Sequence, residues 1–320
     1  MSDQHVIMFG AGPMAQAYAK VLGAQKVPFT VFGRGEASAR SLSEAIGHLV
    51  LTVPFEDALG TLPPASKAIV AVSNDQLHAV TMRLLNAGVK EILLEKPGGI
   101  SMAEVSALSE AARRFEAKVL IGFNRRFYAS TLKARDIVEA DGGVGSCLFQ
   151  FTEWLDTIPS HYAEAVYRTW VLSNPIHVLD HFINLCGRPT SLQSFRKGGI
   201  DWHPAGTVFT GAGETERGVL FSYHADWESA GRWNVEIFTK HRKLIFCPME
   251  KLSEVLKNTV AVQPVEIDDA LDQAFKPGLY RQVDAFLNGR HEHFCTIEQQ
   301  LEHFDWYYRI AGYQKDKLPL

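Results

Sequence analysis

Short apolar runs and amphipathic stretches alternate over the first 123 residues. Residues 6–9, 29–32, 67–72, 91–94 and 119–123 read as strands, and each is followed closely by Gly, Ser, Pro or Asn. Between them, residues 14–22, 36–46, 76–87 and 102–115 space their apolar side chains as helices do, and residues 48–53 hold one more short apolar run. Strands separated by helices pair in parallel, which predicts a doubly wound α/β domain over residues 1–123 with ligands expected at the C-terminal strand ends. The pattern then changes. A helix is expected at 131–140 and a turn at 141–145, and β-like runs follow at 147–152, 192–196, 207–210, 219–224, 234–238 and 243–247, with Gly211-Ala212-Gly213 read as a dividing turn. Residues 124–320 therefore read as an α+β domain with a largely antiparallel open sheet, closed by helical segments at 271–287 and 296–311.

The first strand runs directly into Gly10-x-Gly12-x-x-Ala15 and then a helix. Gly10 permits a tight turn, Gly12 lets the backbone approach a pyrophosphate, and Ala15 lets the helix lie close to the strand. The helix N-terminus would hold the pyrophosphate through its free amides and dipole. Read alone, the motif also fits an ordinary glycine loop; its place between strand and helix favours a dinucleotide site. The second strand ends in Phe32-Gly33-Arg34, with no acid to accept the ribose hydroxyls of NAD. Arg34 suits a 2′-phosphate, so NADP is the expected cofactor and NAD the second choice.

Two further strand ends carry chemistry. Residues 73–78 read Ser-Asn-Asp-Gln-Leu-His, so Ser73 or Asn74 is a candidate helix cap beside the ligand edge and His78 falls in the first turn. Glu95-Lys96-Pro97 brings a lysine to the same edge, where it can stabilise developing negative charge on a substrate oxygen. In the second half, Asn174 is a candidate cap and Gly187 a stop for a helix bearing His177 and His181 four residues apart. That pair lacks a third metal ligand, and acid–base chemistry suits His177 better. Residues 154–172 supply Trp154, His161, Tyr162, Tyr167, Arg168 and Trp170, which suit a polyhydroxylated ligand, with Arg168 for a phosphate or carboxylate; each aromatic singly also fits simple burial.

Composition narrows the picture mainly by exclusion. A formal net charge of -4 over 320 residues argues against a nucleic-acid surface. No run has the length and apolarity of a membrane span, and the N-terminus lacks a signal-peptide pattern. Cys147, Cys186, Cys247 and Cys295 are widely spaced, which predicts buried free thiols, no zinc site and a cytoplasmic setting.

Gly10-x-Gly12-x-x-Ala15, Ser73-Asn74-Asp75-x-x-His78, Glu95-Lys96-Pro97 and the stretch from Gly122 to Phe127 occur in an order that resembles the glucose–fructose oxidoreductase / inositol dehydrogenase / MocA family. The resemblance implies an NAD(P)-dependent oxidoreductase acting on a sugar, sugar nucleotide or related polyol, with Lys96 between nicotinamide and substrate. It implies a cofactor surround of Gly10, Gly12, Pro13, Met14, Arg34, Ser73, Asn74, His78, Glu95, Lys96, Asn124 and Arg125. Substrate contacts would come from Lys96, Tyr162, Arg168, Asn174 and His177. Family members often carry Asp-x-x-x-His-x-x-Asp in the second half; His177 and Asp180 match, whereas Ser173 replaces the first aspartate. Lys96 and His177 are then left with the acid–base work. The resemblance further implies that the last helix packs back on the first domain and that the chain forms a homodimer or homotetramer. The competing readings are a reductase of an imine, dihydrodiol or tetrapyrrole, and a dinucleotide-binding sensor or scaffold without turnover.

Overall fold

The computed structural model describes residues 5–53, 57 and 67–314. The chain divides into two compact units, one comprising residues 1–124 and 271–302 and the other residues 125–270 and 303–320. The segment that returns to the first unit is thus 271–302, and the boundary falls inside the final helix.

The first unit is built on a seven-stranded sheet. Its strands are β1 (Val6–Phe9), β2 (Phe29–Phe32), β3 (Val50–Leu51), β4 (Lys67–Val70), β5 (Glu91–Leu94), β6 (Lys118–Ile121) and the distant β15 (Cys295–Thr296). They lie in the order β15-β6-β5-β4-β1-β2-β3. All pairs are parallel except β15 with β6. The chain moves outward from β1 to one side and, after β4, to the other, so the strand order reverses between β1 and β4. Ligand sites of doubly wound sheets lie at that reversal. β1 is buried throughout, as expected of a central strand covered on both faces.

The connecting helices are α1 (Pro13–Ala24), α2 (Glu36–Ile46), α3 (Leu77–Asn86) and α4 (Met102–Arg114). Pro13 opens α1 where a missing N–H costs nothing, and Ala15, Tyr18, Ala19, Val21 and Leu22 form its buried stripe. The Ser101 hydroxyl caps α4 by accepting from the Glu104 amide at 3.2 Å, while the Glu104 carboxylate accepts from the Ile100 amide at 2.8 Å. The predicted helix at 271–287 is interrupted: a short turn at Ala270–Ala274 is separated from α7 (Leu279–Leu287) by Pro277 and Gly278, the latter at φ 72°.

The second unit carries an eight-stranded sheet in the order β14-β13-β12-β11-β7-β10-β9-β8. The strands are β7 (Ser146–Phe151), β8 (Pro189–Lys197), β9 (Val208–Thr215), β10 (Leu220–Asp226), β11 (Trp233–Phe238), β12 (Arg242–Phe246), β13 (Ser253–Leu256) and β14 (Gln263–Pro264). β7 and β10 run parallel and every other neighbour antiparallel. Burial alternates along β10 and β11, so one face is apolar. α6 (Ile176–Cys186) lies on that face, with Phe182 4.7 Å from Phe149 and 4.6 Å from Phe221. α5 (Ala129–Ala140) precedes β7, and α8 (Ile297–Ala311) ends the described helices.

Gly211-Ala212-Gly213 is not a turn but the middle of β9. A Cβ on Gly211 would stand 2.5 Å from the Tyr223 hydroxyl, and one on Gly213 2.9 Å from the Phe221 ring. The glycines make room for the Gln193 and Ser191 carbonyls of β8, which such a Cβ would approach to 2.4 and 2.1 Å, and for the aromatic side chains of β10, a packing requirement that resembles turn chemistry in sequence. The thiol expectation also changes: Cys147, Cys186 and Cys295 are buried, but Cys247 is exposed, because it follows β12 where the strand gives way to Pro248.

Candidate active site

The C-terminal edge of the first sheet is shaped largely by backbone. Gly10 has φ 129°, and a Cβ there would approach the Ala71 carbonyl oxygen to 2.1 Å. Only glycine permits this crossing of the β1 and β4 ends. Gly12 differs: a Cβ would meet nothing within 4 Å, so its exposed face looks into open space at the start of α1. That opening, flanked by Pro13 and Met14, fits a pyrophosphate laid against the helix start.

Arg34 is exposed just beyond β2. Its charge reaches Asp75, whose carboxyl is held below its usual range. Burial pushes that carboxyl up, and hydrogen bonds with Gln76 and Ser73 together with the Arg34 charge pull it down further. Ser73 occupies the N-cap position of the turn Asn74–Gln76, but neither Ser73 nor Asn74 caps through its side chain. The turn instead closes through the backbone, with the Gln76 amide donating to the Ser73 carbonyl at 2.8 Å. The buried His78 Nε2 has no hydrogen-bond partner among the described residues. A polar atom left unbonded at a ligand edge fits a bound group that completes it.

Lys96 is held by the turn around it. The Glu95 amide donates to the Val70 carbonyl at 2.9 Å, the Gly98 amide to the Glu95 carbonyl at 3.1 Å, and the Gln300 side chain to the Pro97 carbonyl at 2.8 Å. Glu95 is buried and accepts a 2.7 Å hydrogen bond from Tyr18. Burial pushes the Glu95 carboxyl up, against the pull of the Tyr18 hydroxyl and the charges of Lys96 and Lys276. Gly122 leaves room for this pair, since a Cβ there would lie 3.1 Å from Glu95 Oε1. Asn124 is buried with its amide donating to the Pro277 carbonyl at 3.0 Å, which gives it a structural role in the first unit.

Side chains shape the counterpart in the second unit. His177 is buried in the first turn of α6, its amide donating to the Asn174 carbonyl at 3.2 Å and its ring 6.1 Å from Trp233. Asn174 does not cap the helix; Pro175 stands there, and the Asn174 side chain reaches Glu153 instead. Gly187 ends the helix at φ 91°, as its sequence position suggests. Asp180 pairs with Arg126 at 2.6 Å, both buried. Burial pushes the Asp180 carboxyl up, while Arg126 and Arg135 oppose it. His181 is fully buried against Phe246, and burial with the charges of Arg135, Arg125 and Arg126 takes its pKa down to about 3. It is therefore neutral near neutral pH.

Glu153 was not singled out by sequence reasoning. It is 2% exposed and accepts from the Asn174 amide at 2.7 Å, the Trp170 indole at 3.1 Å and the Trp233 indole at 2.7 Å. Burial pushes its carboxyl up, against those bonds and the Arg232 charge. A signal was present: Cys147, Phe149, Phe151 and Glu153 share the inward parity of β7 and its extension, and an acid in that series calls for partners. Arg168 forms a 3.0 Å pair with the exposed Glu164 one helical turn earlier, a solvent-screened contact that leaves its guanidinium able to exchange partners. Tyr162 is partly exposed and its ring lies 5.8 Å from Trp170, within an aromatic group that includes Tyr167 and Trp202. Ser173 is buried. Arg125 opens the second unit, stacked over Trp233 at 5.0 Å and Tyr128 at 5.7 Å.

Residues 4–123 match the model of an oxidoreductase family with an NAD-binding Rossmann fold. The chain is 27% identical over 140 residues to inositol 2-dehydrogenase of Rhizobium meliloti, a match spanning 43% of this chain and only 41% of that relative. Among solved structures, levoglucosan dehydrogenase in complex with NADH and L-sorbose aligns with a TM-score of 0.80 at 14% identity, over 99% of this chain and 98% of that one. UDP-N-acetylglucosamine 3-dehydrogenase GnnA from Acidithiobacillus ferrooxidans aligns with a TM-score of 0.76 at 16% identity, over 98% of each chain. These likenesses establish a common fold. The family likeness is confined to residues 4–123, which resemble the NAD-binding Rossmann domain of Gfo/Idh/MocA oxidoreductases.

Proposed function

We propose that the protein is an NAD(P)-dependent dehydrogenase acting on a CH–OH group of a sugar, sugar nucleotide or related polyol. The observation that carries this reading is the edge of the first sheet, where Gly12 is open, His78 Nε2 is unbonded and Lys96 is held at the end of β5. The sugar dehydrogenases among its relatives and fold neighbours support the substrate class. The nicotinamide, when bound, supplies a hydride donor or acceptor. The amides at the start of α1 hold the pyrophosphate, and Arg34, placed where an acid would repel a 2′-phosphate, favours NADP. Lys96 donates a hydrogen bond to the reacting oxygen and stabilises its negative charge. His177 takes up or returns that oxygen's proton. Asn174, Tyr162 and Arg168 contribute to substrate binding, Arg168 by exchanging its exposed partner Glu164 for the ligand.

Titration of the full chain with NADPH and with NADH, read by nicotinamide fluorescence, tests the cofactor half. Tighter NADPH binding is expected, and binding of neither overturns the reading. Lys96→Ala and His177→Ala test the chemistry: unchanged turnover in both removes the assigned roles. Ser173, in place of the family aspartate, gives the non-catalytic sensor its one specific support; cofactor binding without turnover of any polyol or ketosugar would favour it.

Among the described residues no helix is long and apolar enough to cross a membrane. We place the protein in the cytoplasm as a homodimer or homotetramer. Phe195 and Leu220, both exposed on the outer face of the second sheet, are the surface on which copies would meet, and sedimentation of the full chain tests it.

A further inference from the structure

The second unit holds an ordered stack of rings and guanidinium groups beside His177. Trp154, the residue after Glu153, donates its indole N–H to the Gly231 carbonyl at 2.7 Å, which fixes it on the loop leading into β11. Arg232 then lies over two indoles, 4.6 Å from Trp154 and 4.7 Å from Trp233. Arg125 covers Trp233 at 5.0 Å and reaches Tyr128 at 5.7 Å. The register Trp233↔Phe151 brings the start of β11 to the end of β7, so the stack and Glu153 arise from adjacent strands.

The charges in this stack do not balance. Arg232 has one carboxylate within reach, Glu153 Oε1 at 3.7 Å, and that oxygen already accepts the Trp233 indole at 2.7 Å. Arg125 has no carboxylate partner among the described residues, and its buried Nε is unbonded. The one carboxylate within reach of Arg232 is thus itself buried and bonded to two indoles and an amide. Arg232 and Trp154 remain 39% and 51% exposed. Rings that pin the flat face of a guanidinium leave its N–H edge free to meet an oxyanion through two parallel bonds. His177 stands 6.1 Å from Trp233, so an anion on this stack is close to the proposed proton carrier.

We infer that Arg232 and Arg125, stacked on Trp233, bind an oxyanion substituent of the substrate, making the substrate an anionic sugar or polyol bearing a carboxylate or phosphate. The sugar-like body of that ligand rests on the function proposed above; the anion preference rests on the stack alone. Glu153 serves as the positioning residue, setting Trp233 and Asn174 around His177.

The test is calorimetric binding of D-glucuronate, glucose 6-phosphate and glucose to the full chain, with and without saturating NADPH. At least one anion is expected to bind about tenfold or more tightly than glucose, with the preference falling as salt rises. Glucuronate alone identifies a carboxylate, and glucose 6-phosphate alone a phosphate. Arg232→Met should abolish the preference, whereas Arg232→Lys, which keeps the charge but loses the fork, should retain a weaker, salt-sensitive part of it. Circular dichroism establishes that each variant is folded, and the lysine variant carries the test if the methionine variant is not. No preference for either anion over glucose, including no binding of all three, overturns the inference, as does a preference that survives Arg232→Met. NADPH titration of the same samples separates the two proposals: anion preference without cofactor binding leaves this inference standing and removes the dehydrogenase, and the reverse result removes only this inference.

Discussion

The edge of the first sheet and the α6 region of the second unit are built on opposite principles. The first is made by what is missing: Gly10 without a Cβ at the β1–β4 crossing, Gly12 open at the helix start, Gly122 leaving room for Glu95 and Tyr18. The second is made by large side chains that satisfy one another, with Glu153 under two indoles and an amide, Asp180 against Arg126 and guanidinium groups layered on rings. A surface shaped by backbone amides suits a ligand part common to many enzymes, because amides carry no sequence-specific chemistry of their own. A surface of interlocked side chains suits the part of the ligand that varies. It is also the more costly to disturb, because removing one member leaves buried partners unsatisfied.

The contrast predicts its largest effect at the Asp180–Arg126 pair. Asp180→Ala removes the carboxylate bonded to a buried guanidinium and should cost about 3–5 kcal/mol of stability, read from the shift of the urea midpoint. A loss near zero would mean that the second unit does not depend on its buried charges. Gly10 against Gly12 comes next. Gly10→Ala forces a Cβ into the Ala71 carbonyl at a positive φ and should cost about 1–3 kcal/mol. Gly12→Ala meets nothing and should stay within about 0.5 kcal/mol of the parent, yet weaken NADPH binding by crowding the pyrophosphate. Equal losses of stability in the two variants would refute the distinction between a packing glycine and a ligand glycine.

The third effect depends on pH and lies in the second unit. His203 is buried, with Nδ1 2.8 Å from the Gly206 carbonyl and Nε2 2.7 Å from the Tyr313 hydroxyl. One neutral tautomer satisfies both, donating to the carbonyl and accepting from the tyrosine. Burial takes its pKa down to about 4. The unfolded chain, near the ordinary 6.5, binds the proton first, so stability from this group is full above pH 6.5 and falls as pH drops toward 4. The slope in that window is up to about 1.4 kcal/mol per pH unit. His203→Gln keeps a donor and an acceptor without the titration, and should flatten the pH dependence of the urea midpoint by that amount; an unchanged slope rules His203 out as its source. The smallest effect is expected at Arg34, which is exposed. Arg34→Asp should lower the NADPH-to-NADH affinity ratio about tenfold, with no change in thermal stability. An unchanged ratio would remove Arg34 from the cofactor site.

Most of the first unit was legible because its elements are local. A four-residue apolar strand, a glycine turn and an amphipathic helix each reveal themselves within a dozen residues, and β1, β2, β5 and α2 have the predicted bounds. The second unit was legible as a mainly antiparallel sheet but not in detail. β13 carries no buried apolar run, β14 is only two residues long, and Gly211 and Gly213 resemble a turn because the carbonyls and rings they accommodate lie on other strands. Asn174 resembled a cap for the same reason, since the partner that takes its amide is 21 residues away. Arg168 meets Glu164, a neighbour in sequence, whereas the surroundings of Arg125 and Arg232 are set by residues distant in the chain.

The strand–helix alternation, the turn at Gly10 and Gly12, the delivery of Lys96 to a strand end and the helix that carries His177 are written locally in the chain, because periodicity and backbone freedom are properties of neighbouring residues. Tertiary structure alone decided that Glu153, Asn174, Trp170 and Trp233 share one set of hydrogen bonds and that Arg232 and Arg125 both lie against the Trp233 ring. Those residues come from one strand, two short helical turns and the segments beside them, up to 108 positions apart in the chain, counting from Arg125 to Trp233. Which charges remain unpaired depends on distances that only the folded chain sets.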